Sequence, residues 1–212
     1  MSKKEIPEIK IILLGDSAVG KTSIIKRFNE NTFNADEASS VTMSHVDQIV
    51  NINNKKYKLN IWDTIGQEQY RSISKLFLNG TKIAILVYSI ENKKSFESLN
   101  YWHSICKEEF GDDIILGVCG NKIDRYLDQE VPLEEGRNFA YDKNALFVEV
   151  SAKEDKIFIK KFFLSLVEMY ADKTTNFLRN KENTRIKLEQ ENDSSNSNDK
   201  NKKDKRCCSS KK

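Results

Sequence analysis

Two glycines bracket a short loop between an apolar run, residues 9–14, and a helix-like segment that begins at Ser23. The loop reads Gly15-Asp16-Ser17-Ala18-Val19-Gly20-Lys21-Thr22. Glycine lets a backbone turn tightly beside an anion, and the free N–H groups at a helix start favour negative charge. Lys21 adds a point charge for outer phosphates, and the Thr22 hydroxyl is a hard oxygen ligand suited to Mg²⁺. The loop predicts a nucleoside-phosphate site if further nucleotide motifs follow it, and an ordinary strand-to-helix turn if they do not.

The chain has 212 residues, enough for one domain of ordinary size and a tail. No apolar run approaches the roughly 18 residues of a membrane span, and the charged start lacks a signal-peptide core, so we expect the chain on the cytosolic side. Ser2 argues against N-myristoylation, which needs glycine there. Four cysteines are present, and Cys106 and Cys119 lie in apolar segments, which predicts core residues rather than a disulfide.

Charge is distributed unevenly along the chain. Residues 173–212 hold twelve Lys or Arg and six Asp or Glu, so this segment carries +6 while residues 1–172 carry −3. A slightly acidic body with a basic tail does not resemble a nucleic-acid binder, whose positive charge covers a folded face. The pattern favours a tail that meets an anionic surface, and the low-complexity composition of 180–212 predicts disorder.

Hydrophobic periodicity predicts alternating strands and helices. Strands are predicted at 9–14, 46–52, 56–62, 83–88, 114–119 and 146–150, and helices at 23–29, 75–78, 95–110, 133–141 and 155–172. Asn53-Asn54 reads as the turn of a hairpin, and the polar stretch 30–44 as a long functional loop. The fold class is therefore α/β, with a mainly parallel sheet and one antiparallel strand. Ligands of such sheets bind beyond the carboxyl ends of the strands.

Three more motifs stand at predicted strand ends. In Trp62-Asp63-Thr64-Ile65-Gly66-Gln67-Glu68, a carboxylate can hold Mg²⁺ through water, a glycine N–H can detect the last phosphate, and a glutamine can orient the attacking water. In Gly120-Asn121-Lys122-Ile123-Asp124, the Asp124 carboxylate matches two N–H donors on one edge of guanine, which adenine lacks. In Ser151-Ala152-Lys153, a backbone N–H can meet the guanine carbonyl oxygen.

All four motifs in this order resemble those of the small GTPases of the Ras superfamily, across residues 8–172. The Rab family is the nearest likeness, through Lys58-Leu59-Asn60-Ile61-Trp62-Asp63-Thr64, Gly15-Asp16-Ser17, Arg71-Ser72-Ile73 and Cys207-Cys208. The resemblance implies a P-loop GTPase fold with a six-stranded sheet and about five helices. It also implies an N-terminal lead at 1–8, a GTPase domain at 9–172 and a hypervariable tail at 173–212.

The likeness implies a switch that alternates between GTP and GDP and uses Mg²⁺. Switch I would span about 33–45 and switch II 63–76. The implied nucleotide-binding residues are Gly15, Asp16, Ser17, Ala18, Val19, Gly20, Lys21, Thr22, Ser23, Phe33, Ser40, Asp63, Gly66, Asn121, Lys122, Asp124, Ser151, Ala152 and Lys153. The implied Mg²⁺ ligands are Thr22, Ser40 and Asp63, and the implied catalytic residues are Gln67, Lys21 and Gly66. No arginine lies in 28–62, so we expect slow hydrolysis that needs a partner protein.

Two positions depart from the Rab pattern. Switch I reads Ser40-Val41-Thr42-Met43-Ser44-His45, where Rabs have a Thr-Ile-Gly-Val-Asp-Phe-like run. Ser40 lacks the methyl group that restrains a threonine rotamer, Thr42 is a second candidate ligand, and His45 replaces an effector-binding phenylalanine. Ile65 replaces a small alanine beside the last phosphate, which predicts slowed hydrolysis or a shifted GTP/GDP preference.

The chain ends in Cys207-Cys208-Ser209-Ser210-Lys211-Lys212, which is not a CaaX box. We expect geranylgeranyl groups on Cys207 and Cys208, because two lipids behind a basic patch form a stable anchor; the alternative is two free cysteines. The resulting location is the cytoplasmic face of an intracellular membrane, with cycling to the cytosol.

The implied partners are an exchange factor, a GTPase-activating protein, a GDP-dissociation inhibitor or escort protein, and effectors. We expect a monomer that binds no nucleic acid and regulates vesicle trafficking. One alternative is a Rab-like scaffold that holds nucleotide with little turnover. Another is a basic-tailed membrane adaptor without nucleotide, which would leave Lys21, Lys122 and Asp124 without a role.

Overall fold

The computed structural model describes residues 6–30, 32, 44–64 and 78–176. The strands are β1 (Glu8–Leu14), β2 (Ser44–Ile52), β3 (Lys55–Asp63), β4 (Thr81–Ser89), β5 (Ile115–Asn121) and β6 (Leu146–Val150). The helices are α1 (Lys21–Asn29), α2 (Lys93–Glu97), α3 (Leu99–Phe110), α4 (Leu133–Asp142) and α5, which begins at residue 156 and reaches the last described residue, 176. Two 3₁₀ segments are Gly111–Asp113 and Ile123–Asp128. No helix among these residues is long and apolar enough to cross a membrane.

The six strands form one sheet in the order β2-β3-β1-β4-β5-β6. Strand β2 pairs antiparallel with β3, and every other neighbouring pair is parallel. The predicted fold class and the position of the antiparallel strand are confirmed. Because β1, β3 and β5 all run in the same direction, the loops that follow them emerge at the same edge of the sheet.

The hairpin between β2 and β3 turns at Asn53 and Asn54, as predicted. Both residues have positive φ values, 49° and 62°, which a two-residue type I′ turn requires and asparagine tolerates. Along β3, Tyr57, Leu59 and Ile61 are buried and alternate with more exposed residues. The alternation predicted from sequence is therefore confirmed.

The helix predicted at 95–110 is two helices in the structure, α2 and α3. The side chain of Asn92 caps the first by accepting a hydrogen bond from the Ser95 N–H at 3.0 Å. Ser98 separates the helices with φ −64° and ψ −17°, close to 3₁₀ values, and the Trp102 N–H still donates to the Ser98 carbonyl at 3.2 Å. The chain thus tightens at Ser98 rather than leaving the helical path, which residue periodicity alone does not reveal.

Apolar side chains cover both faces of the sheet. On one face, the rings of Phe28 from α1 and Phe163 from α5 stack with centroids 4.4 Å apart. On the other, Trp102 and Cys106 of α3 lie in a cluster with residues of β1, β4 and β5. Coverage on both faces explains why β1 reads as a nearly continuous apolar run.

The two core cysteines predicted from sequence, Cys106 and Cys119, are buried and free. Burial raises the pKa of the Cys106 thiol to about 12 and also raises the pKa of Cys119, so both thiols stay protonated.

By its contacts the chain divides into two units, Met1–Tyr170 and Ala171–Lys212. The first unit holds the whole sheet. In the second, the described residues 171–176 are helical, and the Thr175 hydroxyl donates to the Ala171 carbonyl at 2.8 Å.

Candidate nucleotide site

The loop after β1 requires glycine at both of its ends. Gly15 has φ +151°, and a Cβ there would lie 2.2 Å from the backbone oxygen of Val87. Gly20 has φ +97°, and its Cβ would lie 2.2 Å from Asn121 Nδ2. Any side chain at either position would displace a neighbour, so the loop is packed against the ends of β4 and β5.

The same loop encloses the ammonium group of Lys21. Its side chain is buried, and Nζ donates to the carbonyl oxygens of Gly15 at 2.8 Å and Asp16 at 2.7 Å. Burial lowers the pKa of Lys21 to about 8, although the charges of Asp63 and Asp16 oppose this shift. A desolvated ammonium inside a turn at a helix start favours a strongly anionic group such as a phosphate.

Thr22 and Asp63 form the second part of the site. The Thr22 hydroxyl, in the first turn of α1, donates to Asp63 Oδ2 at the end of β3 with a distance of 2.6 Å. The next residue, Thr64, donates from its hydroxyl to the Leu13 carbonyl at 2.6 Å, which fixes the end of β3 against β1. A hydroxyl and a carboxylate within contact are oxygen donors of the kind that Mg²⁺ prefers. The donor set fits Mg²⁺, and these two residues could hold it.

Asn121, at the end of β5, joins two of the predicted motifs. Its Nδ2 donates to the Val19 carbonyl at 2.9 Å, and its Oδ1 accepts a hydrogen bond from the Ala152 N–H at 3.0 Å. The side chain is buried, and both ends of its amide are therefore paired. One side chain thus holds the phosphate-loop motif and the Ser151 motif together.

Asp124 and Ser151, which the sequence predicts to contact the base, are hydrogen-bonded to each other. The Ser151 hydroxyl donates to Asp124 Oδ1 at 2.6 Å. The Ser151 N–H donates to Asp155 Oδ2 at 2.9 Å, so a carboxylate four residues further along holds the loop after β6. The arrangement orients the Asp124 carboxylate, which is an acceptor group suited to the N–H edge of an oxo purine.

Lys122 lies between Asn121 and Asp124 in the chain and has a left-handed backbone, φ 69°. Its Nζ contacts Glu91 Oε1 at 2.7 Å, and Arg125 contacts the other oxygen of Glu91 at 3.0 Å. Burial opposes ionisation of Glu91, but the bonds and charges of Lys122 and Arg125 hold the pKa of its carboxyl below its usual value. The lysine head is fixed at Glu91, which leaves the alkyl stem as the part that can cover a ring face.

Four residues near the site were not singled out from the sequence: Arg27, Glu91, Trp102 and Asp155. Arg27 donates to the carbonyls of Ala152 and Lys153, and Trp102 Nε1 donates to Asp16 Oδ1 at 3.0 Å. Asp155 bonds the N–H of Ser151, four positions before it, so a turn-forming carboxylate after Ser151 could have been sought. The other contacts join residues far apart in the chain, and no local signal predicts them.

The structure therefore brings together three of the predicted motifs and Asp63 of the fourth. Several predicted residues lie outside the described part of the chain. These are Phe33, Ser40, Thr42, Ile65, Gly66, Gln67, Cys207 and Cys208, together with most of the helix predicted at 75–78.

Comparison with known proteins agrees with this arrangement. The sequence profile of the Ras family matches residues 10–172. Ras-related protein Rab-2B of Dictyostelium discoideum is 38% identical over 144 residues, which are 68% of this chain and 71% of that protein. Ras-related protein Rab-31 of Rattus norvegicus is 37% identical over 70% of this chain and 76% of its own length. GTP-binding protein ypt3 of Schizosaccharomyces pombe is 34% identical over 76% of this chain and 75% of its own length.

The family profile spans most of the chain, and these relatives share more than a third of their aligned residues with it over more than two thirds of its length. The chain belongs to the Ras superfamily of small GTPases and, within it, to the Rab family.

Proposed function

We propose that the chain is a guanine-nucleotide switch that recruits effectors in its GTP form and acts in vesicle and membrane trafficking. The observation that carries the proposal is the pair of hydrogen bonds made by the Asn121 amide, to Val19 at 2.9 Å and to Ala152 at 3.0 Å. These bonds join the loop after β1, which we propose holds the phosphates, to the loop after β6, which we propose contacts the base. A cleft that pairs a buried ammonium with an oriented carboxylate suits a nucleotide whose base carries N–H donors.

In this proposal the described residues bind and orient the nucleotide. Backbone N–H groups of the loop and Lys21 hold the phosphates, and Asp124 accepts from the base. Thr22 and Asp63 would hold Mg²⁺, with Ser40 as the third ligand that the resemblance to small GTPases implies. When bound, Mg²⁺ would neutralise part of the phosphate charge. Gln67 orients the attacking water, and the Gly66 N–H detects the last phosphate.

Base recognition is tested by the substitution Asp124→Asn. Ser151 already donates to Oδ1, so the new amide would keep oxygen on that side and turn its NH₂ group toward the base. A donor there matches the carbonyl oxygen of xanthine instead of the amino group of guanine. Calorimetry with Mg²⁺ should show that wild type binds GDP and not ADP, and that the variant prefers XDP to GDP. Absence of heat for GDP and GTP with wild type would reject the proposal.

We also propose that hydrolysis is slow and needs a GTPase-activating protein. The supporting observation is the lack of any arginine in residues 28–62, which removes a source of charge stabilisation from switch I. Single-turnover measurements on wild type and Ile65→Ala should show faster hydrolysis in the variant, because a smaller side chain lets switch II pack closer to the phosphate. Equal rates would remove Ile65 from the explanation.

A second candidate is a scaffold that holds nucleotide with little turnover. Ile65 and the altered Ser40–His45 segment favour it, whereas Gln67, Asp63 and Lys21 favour turnover. Multiple-turnover assays with an activating partner separate the two functions. Sustained phosphate release supports the switch, and a single stoichiometric release or none supports the scaffold.

Membrane attachment through Cys207 and Cys208 completes the proposal. The basic residues Lys200, Lys202, Lys203, Lys205 and Arg206 precede the cysteines, and lipids combined with basic residues give stable anchoring. Mass spectrometry of the protein from its own cells should find both thiols lipidated. Microscopy should show that the double Cys→Ser variant leaves the membrane, while unmodified thiols in the native protein would reject this part.

A further inference from the structure

Arg27 lies on α1, the helix whose first turn contains Lys21 and Thr22, and its side chain reaches the loop after β6. Nε donates to the Ala152 carbonyl at 2.7 Å, and Nη2 donates to the Lys153 carbonyl at 2.6 Å. Two parallel donors on a planar guanidinium bind two neighbouring acceptors in a fixed geometry. The phosphate-binding helix is thus joined directly to the loop that we propose for base recognition.

The bond to Ala152 has a consequence for the next residue. In a trans peptide the C=O and N–H groups lie in one plane and point in opposite directions. The Ala152 carbonyl shares its peptide with the Lys153 N–H, so a carbonyl held by Arg27 turns the Lys153 N–H away from Arg27. The second bond, to the Lys153 carbonyl, fixes the following peptide in the same way.

The other N–H groups of this loop already have partners in the protein. The Ala152 N–H donates to Asn121 Oδ1 at 3.0 Å, and the Ser151 N–H donates to Asp155 Oδ2 at 2.9 Å. The Glu154 N–H donates to the hydroxyl of Ser151 at 3.2 Å. Within Ser151-Ala152-Lys153, the Lys153 N–H is therefore the donor whose direction Arg27 controls and whose partner can be a bound base.

We propose that Arg27 is a positioning residue for guanine: it orients the Lys153 N–H toward the carbonyl oxygen at position 6 of the base. The inference rests on the proposed function, because it assumes a guanine nucleotide in this cleft. It makes Arg27 a determinant of base specificity and of the rate of nucleotide release through the two carbonyl groups that it binds.

The test uses two variants of the full chain. Arg27→Met keeps an apolar stem and removes both donors, and Arg27→Lys keeps the positive charge but lacks the two parallel donors of a guanidinium. The control is Arg137→Met, because Arg137 is an exposed arginine whose Nη1 bonds Glu134 at 2.7 Å within α4. Release of three nucleotides is measured with Mg²⁺. GDP has the 6-oxygen and the 2-amino group, IDP lacks only the 2-amino group, and 6-thio-GDP carries sulfur, a weak acceptor, in place of the oxygen.

We expect Arg27→Met to release GDP and IDP about tenfold faster or more, since hydrogen bonds from charged groups are among the stronger ones. Release of 6-thio-GDP should accelerate less, because its interaction with the Lys153 N–H is already weak. Arg27→Lys should fall between wild type and Arg27→Met, and Arg137→Met should match wild type for all three nucleotides.

A purely structural role of Arg27 would accelerate all three releases by the same factor, and that result overturns the inference, as does unchanged release of GDP. If Arg27→Met fails to fold, the comparison of nucleotides on Arg27→Lys decides. Failure of wild type to bind GDP rejects the proposed function itself. Binding by wild type with no nucleotide-dependent effect in the Arg27 variants rejects only this inference.

Discussion

The carboxyl end of β5 and the exposed side of the β2–β3 hairpin both carry hydrogen-bonded polar side chains, but these side chains differ in burial. At the first, Asn121 and Ser151 are buried and bonded to neighbouring loops. At the second, Asp47 accepts from Asn60 at 2.7 Å and contacts Lys58 at 2.9 Å, and Lys58 also contacts Glu8 at 2.9 Å, all on an exposed surface.

The difference indicates where a hydrogen bond determines structure. A buried polar group that loses its partner retains a desolvation cost, whereas an exposed group exchanges its partner for water. The Asn121 network should therefore control loop positions and nucleotide affinity. The contacts among Asp47, Lys58 and Glu8 on the hairpin side are equally short. They should nevertheless contribute little to stability and nothing to nucleotide binding.

The largest expected effect on nucleotide affinity is that of Gly20→Ala. The added Cβ would lie 2.2 Å from Asn121 Nδ2 and would push the amide away from Val19. We expect GDP affinity to fall about 100-fold, or about 2.7 kcal/mol, by fluorescence titration. Gly80→Ala is the matched control, because Gly80 also has a positive φ, +76°, but a Cβ added there would have no atom within 4 Å. Similar losses in both variants would show that backbone strain, and not the Asn121 contact, is responsible.

The second effect is a pH dependence from Lys21 in nucleotide-free protein. Burial lowers its pKa from the ordinary 10.5 to about 8. Below pH 8, Lys21 is protonated in both the folded and the unfolded chain, so the folded state bears the full free-energy cost of burying the charged ammonium. Between pH 8 and 10.5 the unfolded chain binds more protons, so stability rises with pH. Relative to Lys21→Met, wild type should gain about 3 kcal/mol of unfolding free energy across this interval in urea titrations.

The exposed Lys56→Met variant is the control for loss of a lysine. If the unfolding free energies of wild type and Lys21→Met change with pH in the same way, the ammonium of Lys21 is not desolvated. That result would also weaken the contrast between the buried site and the exposed hairpin.

A smaller effect is expected for Tyr88→Phe, which removes a buried hydroxyl next to the site. The hydroxyl donates to Glu149 Oε1 at 3.1 Å. It also fills the space beside Gly120 and Gly136, where an added Cβ would approach it to 2.6 and 2.3 Å. We expect the unfolding free energy to fall by about 1 kcal/mol while GDP affinity stays unchanged. Tyr141→Phe, the same change at an exposed tyrosine, should leave both quantities unchanged.

The smallest effect is expected for Lys58→Met on the hairpin. Its ion pairs with Asp47 and Glu8 are exposed, so water replaces them at little cost. Urea midpoint and GDP affinity should both equal those of wild type. A clear loss of GDP affinity would show that the hairpin network is connected to the cleft and would remove the distinction between the two regions.

Local patterns in the sequence determined most of the fold. Strand and helix order, the Asn53-Asn54 turn and the alternation along β3 follow from residue periodicity and turn chemistry, which act over a few residues. The motifs that contain Lys21, Asp63 and Asp124 were recognisable for the same reason. Each places its functional residues within a short stretch at the end of a strand, so its chemistry could be read without knowing the sheet order.

The tertiary structure alone decided the contacts that turn these motifs into one cleft. Arg27 meets Ala152, Asn121 meets Val19, and Trp102 meets Asp16, each across 86 to 125 positions of sequence. Such pairs depend on the strand order β1-β4-β5-β6, which places the loop after β1 near the ends of β5 and β6. No propensity or spacing encodes them, because they arise only when distant segments are packed at the same edge of the sheet.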